Sequence, residues 1–194
     1  MGAERSGAAR FERIWAPHRT AYDHAAAEDF GCPFCAIPSL GEDESLVVAR
    51  GATTYVVLNR HPYNPGHLMV LPYRHVADLA DLTDDESAEL MTMTQQALRA
   101  TRAVGRPDSF NVGLNLGRAA GASVAEHLHQ HVVPRWTGDA DYVSVTGGTK
   151  VLPELLQATR SILRDAWPHD RRAVGQDGSA GSQNGAGRTR SGLP

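Results

Sequence analysis

Five short stretches rich in aliphatic and β-branched residues stand out along the chain, each bounded by turn-forming residues. Residues 45–50 (Ser-Leu-Val-Val-Ala-Arg) and 53–59 (Thr-Thr-Tyr-Val-Val-Leu-Asn) read as two strands joined at Gly51. Residues 60–66 hold two prolines, an asparagine and a glycine and form a turn. A third strand follows over His67–Pro72, so these three make an antiparallel meander. Phe110–Asn115 alternates and predicts a fourth strand; residues 116–123 are Gly/Ala-rich and predict a tight loop. The fifth strand covers 127–134 and is closed by Pro134.

Helical spacing appears in three places. Phe11, Ile14, Trp15 and Tyr22 predict an N-terminal helix from Arg10 to about Ala27, interrupted at Pro17. Thr83 and Glu86 form a capping box ahead of Leu90, Met93, Ala97, Leu98, Thr101 and Val104. This long helix should end at Gly105 and Pro107 and cover the sheet, with its methionines filling the core. After a break at Gly147-Gly148, Pro153 can start a C-terminal helix over 155–167. Three segments result: an extension over 1–30, partly helical, a folded domain over 31–168, and a disordered Gly/Ser/Arg tail over 169–194.

The strand over 127–134 carries the chemistry. His127, His129 and His131 occupy alternate positions, so as strand residues they project from one face. Leu128, Gln130 and Val132 project from the other, leaving Gln130 wet or against a partner. Three imidazoles on one face either hold a metal or do nucleophilic and acid–base chemistry near neutral pH. A catalytic zinc usually also wants a carboxylate nearby, and parity sends Glu126 to the opposite face. A nucleophilic imidazole needs one nitrogen locked to a carbonyl, with the other facing an electrophile such as phosphorus. The Gly-rich loop just before supplies backbone N–H groups, Arg118 and Ser123 for a phosphate.

Composition narrows the setting. The 194 residues are 41% hydrophobic and 21% charged, ordinary for one soluble domain. A net charge of −3 gives no field that would draw nucleic acid or a membrane surface. No apolar run has transmembrane length and the N-terminus is polar, so a cytoplasmic protein is expected. Two cysteines, in Cys32-Pro33-Phe34-Cys35, are too few for a disulfide scaffold. In a reduced cytosol they are a metal half-site, a redox pair or neither, and redox is the weakest reading.

The string His127-Leu-His129-Gln-His131-Val-Val resembles the signature of the histidine triad (HIT) superfamily of nucleotide hydrolases and transferases. Leu58-Asn59-Arg60 with Asn64-Pro65-Gly66-His67-Leu-Met-Val-Leu-Pro72 resembles its second hallmark. The resemblance runs from about Cys32 to Trp136. It implies an α+β fold: a five-stranded antiparallel sheet with a long covering helix, dimerising into a ten-stranded sheet. It implies that His129 is the nucleophile, His131 the leaving-group partner and His127 the histidine that orients the site. It further implies Asn59 as ribose ligand, Asn115 and Ser123 as phosphate ligands, and Gly121 as the residue shaping the loop. Zinc-bearing branches would use Cys32, Cys35, His75 and His127 as a structural site; a metal-free cysteine pair is the alternative.

Finer features resemble actinobacterial diadenosine tetraphosphate phosphorylases: the Pro134-Arg135-Trp136 ending, residues 147–153, and Trp15-Ala-Pro. That resemblance implies cleavage of an adenine dinucleotide, bound with magnesium, by inorganic phosphate to ADP and ATP. It also implies a homodimer or homotetramer, with Trp136 as an adenosine or interface contact. Three alternatives stand: a dinucleotide or phosphoramidate hydrolase, a nucleotide-binding module without turnover, and a metal-dependent hydrolase with three His ligands.

Overall fold

The computed structural model describes residues 31–41, 44–140 and 154–168. The expected N-terminal helix, the Gly147-Gly148 break, Pro153 and the tail lie outside them. The strands are β1 (Val47–Arg50), β2 (Thr54–Leu58), β3 (Leu68–Pro72), β4 (Ser109–Leu114) and β5 (Gln130–Arg135). The helices are a single turn α1 (Pro33–Ala36), the long α2 (Asp84–Gly105) and α3 (Leu156–Asp165). All five strands form one sheet in the order β1-β2-β3-β5-β4. Every neighbouring pair is antiparallel.

α2 covers one face of the sheet; the other is also buried at Tyr55, Val57, Met69 and Leu71 and is open along β4. Val56, Leu58, Leu68, Val70 and Val132 are fully buried with Leu90, Met93, Ala97 and Ala100 of α2. α2 starts as the sequence dictates: the Thr83 hydroxyl accepts from Glu86 N, and the Glu86 carboxylate accepts from Thr83 N. It ends on Gly105, but Arg106 takes the left-handed conformation with φ 44°. Met93 is core filling as expected; Met91 is exposed, since two positions along a helix turn the side chain by roughly 200°.

Glu89 clamps α2 to the turn between β1 and β2. Its carboxylate accepts from the backbone N–H groups of Ala52, Thr53 and Thr54 and from both threonine hydroxyls. Burial pushes its pKa up, but these hydrogen bonds outweigh burial and hold it at about 2. A Cβ at Gly51 would stand 2.5 Å from Glu89 Oε1 and 2.6 Å from Met93, so a larger residue there would have to displace the clamp.

Gln130 is neither wet nor at a surface. It is buried, and its amide donates to the Thr94 hydroxyl of α2 at 2.6 Å. The polar position in β5 is thus matched by a polar position on the covering helix. Among the described residues, no helix is long and apolar enough to cross a membrane.

Candidate active site

Strand β5 begins only at Gln130, so His127, at a bend, and His129 lie in the irregular segment that leads into it. The chain has left the sheet there: Leu128 N donates to Val76 O in the loop after β3. His127 joins a cysteine–histidine cluster that His129 and His131 do not share, so among the described residues the three imidazoles do not form one ligand set. They split into two functional groups.

His129 and His131 form the first group. Their rings are 5.0 Å apart and nearly perpendicular. His129 is buried, and its Nδ1 lies 2.8 Å from the carbonyl oxygen of His127. A carbonyl only accepts, so Nδ1 carries the proton and Nε2 is left with a lone pair. Burial lowers the His129 pKa, which keeps the ring neutral; the bond to His127 O pulls weakly the other way. His127 thus touches His129 through its backbone oxygen, not its ring.

His131 is set by a fourth histidine. His67 is fully buried, and burial, then the nearby His131 and His129, hold its pKa down at about 3. The backbone N–H of Tyr63 donates to His67 Nδ1 at 3.1 Å. A neutral imidazole that accepts on Nδ1 must carry its proton on Nε2. That Nε2 lies 3.0 Å from His131 Nδ1, so it donates there and leaves His131 protonated on its own Nε2. A lone-pair nitrogen on His129 thus stands beside a proton-bearing nitrogen on His131. Sequence reasoning gave His67 no role, because only the pairing of β3 with β5 (Met69 opposite His131) brings the two together.

The second group is a cysteine–histidine cluster. His127 Nδ1 lies 3.3 Å from Cys32 Sγ and 3.5 Å from Cys35 Sγ, and His75 Nδ1 lies 3.4 Å from Cys35 Sγ. All four ligand atoms fall within 4.8 Å of one another. Zinc bonds of about 2.3 Å to sulfur and 2.1 Å to nitrogen, at a tetrahedral angle, put S and N about 3.6 Å apart. The donor set and its spacing therefore fit zinc. The other nitrogen of His127 donates to Pro72 O at 3.0 Å, the outer-shell bond that orients a metal-ligating imidazole.

Phe34 joins the two groups. Its ring lies 5.6 Å from that of His127 and 5.0 Å from that of His129. The Tyr55 hydroxyl donates to Phe34 O and fastens the α1 turn to the sheet.

The remaining expected site residues divide. Asn59 follows β2 and lies next to His67, with its Oδ1 held by His61 N and its amide 3.4 Å from His67 Nδ1. Asn115 follows β4 and lines, with His131, a groove on the open face. Gly121 has φ 93°, a conformation that favours glycine, and Ser123 beyond it is exposed. Trp136 is not brought to the triad. Its indole N–H donates to Gly105 O, and its ring lines a 240 Å³ cavity against Thr101, Val104 and Ile162 on the covered side.

Comparisons with known proteins agree with this geometry. The HIT domain family matches residues 41–138. An AP-4-A phosphorylase of Mycobacterium tuberculosis is 54% identical over 166 residues, covering 81% of this chain and 85% of the relative. An adenosine 5′-monophosphoramidase of Schizosaccharomyces pombe is 32% identical over 104 residues, covering 54% of this chain and 74% of the relative. Among solved structures, a zinc-bound histidine triad family protein from Mycobacterium smegmatis matches with a TM-score of 0.57 and 31% identity, covering 70% of this chain and 92% of the other. Sheet order, histidine arrangement and these matches converge on one conclusion: the chain belongs to the HIT domain family.

Proposed function

We propose that this protein is a dinucleoside polyphosphate phosphorylase that cleaves diadenosine tetraphosphate with inorganic phosphate, giving ADP and ATP. The observation that carries the reading is the pair of fixed tautomers: an unprotonated Nε2 on His129 beside a protonated Nε2 on His131. The relative named AP-4-A phosphorylase supports the choice of substrate.

In the first step His129 Nε2 attacks the α-phosphorus. The N–P bond forms, the bridging P–O bond breaks, and ATP leaves with the proton of His131. The His127 carbonyl, bonded to Nδ1–H, offsets the positive charge that develops on the nucleotidylated ring. In the second step a phosphate oxygen attacks the same phosphorus. The N–P bond breaks, ADP forms, and the phosphate proton returns to His131. Asn59 holds the ribose, Asn115 and Ser123 hold phosphate oxygens, and Gly121 lets the loop approach them. Cys32, Cys35, His75 and His127 would hold a structural zinc, which would supply cross-linking rather than chemistry. Magnesium enters with the polyphosphate.

Incubation with diadenosine tetraphosphate and magnesium, with and without inorganic phosphate, tests the reading. ADP plus ATP, appearing only with phosphate, is the expected result. AMP plus ATP in both tubes would instead make water the acceptor and the protein a hydrolase.

β4 is an edge of the sheet and exposes Val112, with Leu116 exposed just beyond it. The same reading has β4 pair with its copy in a second chain to make ten strands. Sedimentation should give at least twice the 20.9 kDa chain mass; a monomer at micromolar concentration would remove this part.

A further inference from the structure

The open face continues past the triad as a groove along β4 and β5, with a volume of 460 Å³. Tyr63, Asn111, Gly113, His131, Val133 and Arg135 are among the residues that line it. It starts at the histidine that carries the proton for the leaving group. From His131 to Arg135 the strand runs about 13 Å, at about 3.3 Å per residue. That length suits one nucleotide, and the volume lies in the usual range of small-molecule sites, about 300–1,000 Å³.

The floor is kept open by a small residue. Gly113 pairs directly with His131, and a Cβ added there would meet nothing within 4 Å. The walls carry matched chemistry. The Tyr63 ring lies 5.7 Å from that of His131 and offers an aromatic surface to a base. Asn111 Oδ1 accepts from Arg135 Nη1 at 2.8 Å, so the oxygen is used and the amide N–H groups are the donors this residue can offer. Arg135 is fixed by a two-pronged pair with Asp139, at 2.6 and 2.9 Å. Asp139 is in turn held by the Asn64 amide at 2.7 Å. The wall is therefore preorganised before any ligand arrives.

We infer that this groove is the subsite for the departing half of the dinucleotide, the nucleoside and distal phosphates that leave as ATP. The inference rests on the phosphorylase reading and extends it. It makes Asn111, Gly113 and Tyr63 determinants of specificity for a dinucleotide over a mononucleotide. None of the first two contacts the triad nitrogens through a hydrogen bond of its own.

The test compares a ligand with two nucleosides and a ligand with one. KM for diadenosine tetraphosphate and the inhibition constant of AMP are measured on the full chain, on Asn111→Ala and on Gly113→Val. Asn111→Ala removes the amide and leaves the backbone of β4 unchanged; Gly113→Val fills the floor with a residue that suits a strand. The expected result is a KM raised about tenfold, the equivalent of one or two lost hydrogen bonds, with AMP inhibition unchanged within about twofold. Selective loss in either variant supports the subsite. A KM within about twofold of wild type in both, or AMP inhibition weakened in step with KM, overturns it. A wild-type chain that cleaves no dinucleotide strikes the phosphorylase reading itself, and the subsite falls with it.

Discussion

Replacing His129 by alanine is expected to lower kcat for diadenosine tetraphosphate by a factor on the order of 10⁴ or more, with the chain still folded. The size follows from the absence of a substitute nucleophile. His127 is committed at both nitrogens, Nδ1 to the cysteines and Nε2 to Pro72 O. His131 has its Nδ1 tied to His67 and its Nε2 protonated. Loss of a covalent nucleophile in a site with no second candidate removes the whole two-step route rather than one contact in it. The cavity left by the imidazole is bounded by Phe34 on one side, so some loss of stability is expected too. A melting curve separates the two effects. Turnover within tenfold of wild type, in a variant that melts cooperatively, would falsify the nucleotidyl-His129 route.

Much of the fold was legible because its signals are local. Strand ends fall within three residues of expectation, since Gly51, the 60–66 turn and the 116–123 loop interrupt the β-branched runs. The Thr83–Glu86 capping box lies within four residues and was found intact. What escaped is long-range. The partner of Gln130 is Thr94, 36 positions away on another element, and no periodicity announces such a match. The role of His67 depends on a contact across 64 positions.

Trp136 teaches a different lesson. The period-two argument that groups His129 with His131 puts Trp136 with Gln130, Val132 and Pro134 on the opposite face. Its contact with Gly105 is where strand parity sends it. The same parity puts Asn59 and Asn111 on the histidine face: Val57 pairs with Met69, Met69 with His131, and Asn111 with Val133. Parity failed only for His127. Its segment leaves the sheet, and there the two-sided alternation of a strand no longer governs.

The cysteine–histidine cluster carries the second large prediction. The purified protein should contain about one zinc per chain, and Cys32→Ser/Cys35→Ser should contain none. Two consequences follow from the geometry. The α1 turn is only four residues long and buries none of them fully, so little besides the cluster, Phe34 and the Tyr55 hydrogen bond holds it to the sheet. Loss of the ligands should therefore lower the melting temperature by roughly 10 °C, several kcal/mol at about 2–4 °C per kcal/mol for a chain this size. His127 is also the residue whose carbonyl fixes the His129 tautomer, so a cluster that no longer anchors its ring loosens the nucleophile. Turnover should fall about 10–100-fold, the usual cost of losing an orienting shell, and far less than for His129→Ala. Metal analysis and the melting curve decide the structural half without reference to activity. A wild-type chain that binds no zinc, or that melts at the same temperature after chelation, would show that the four residues meet for packing alone.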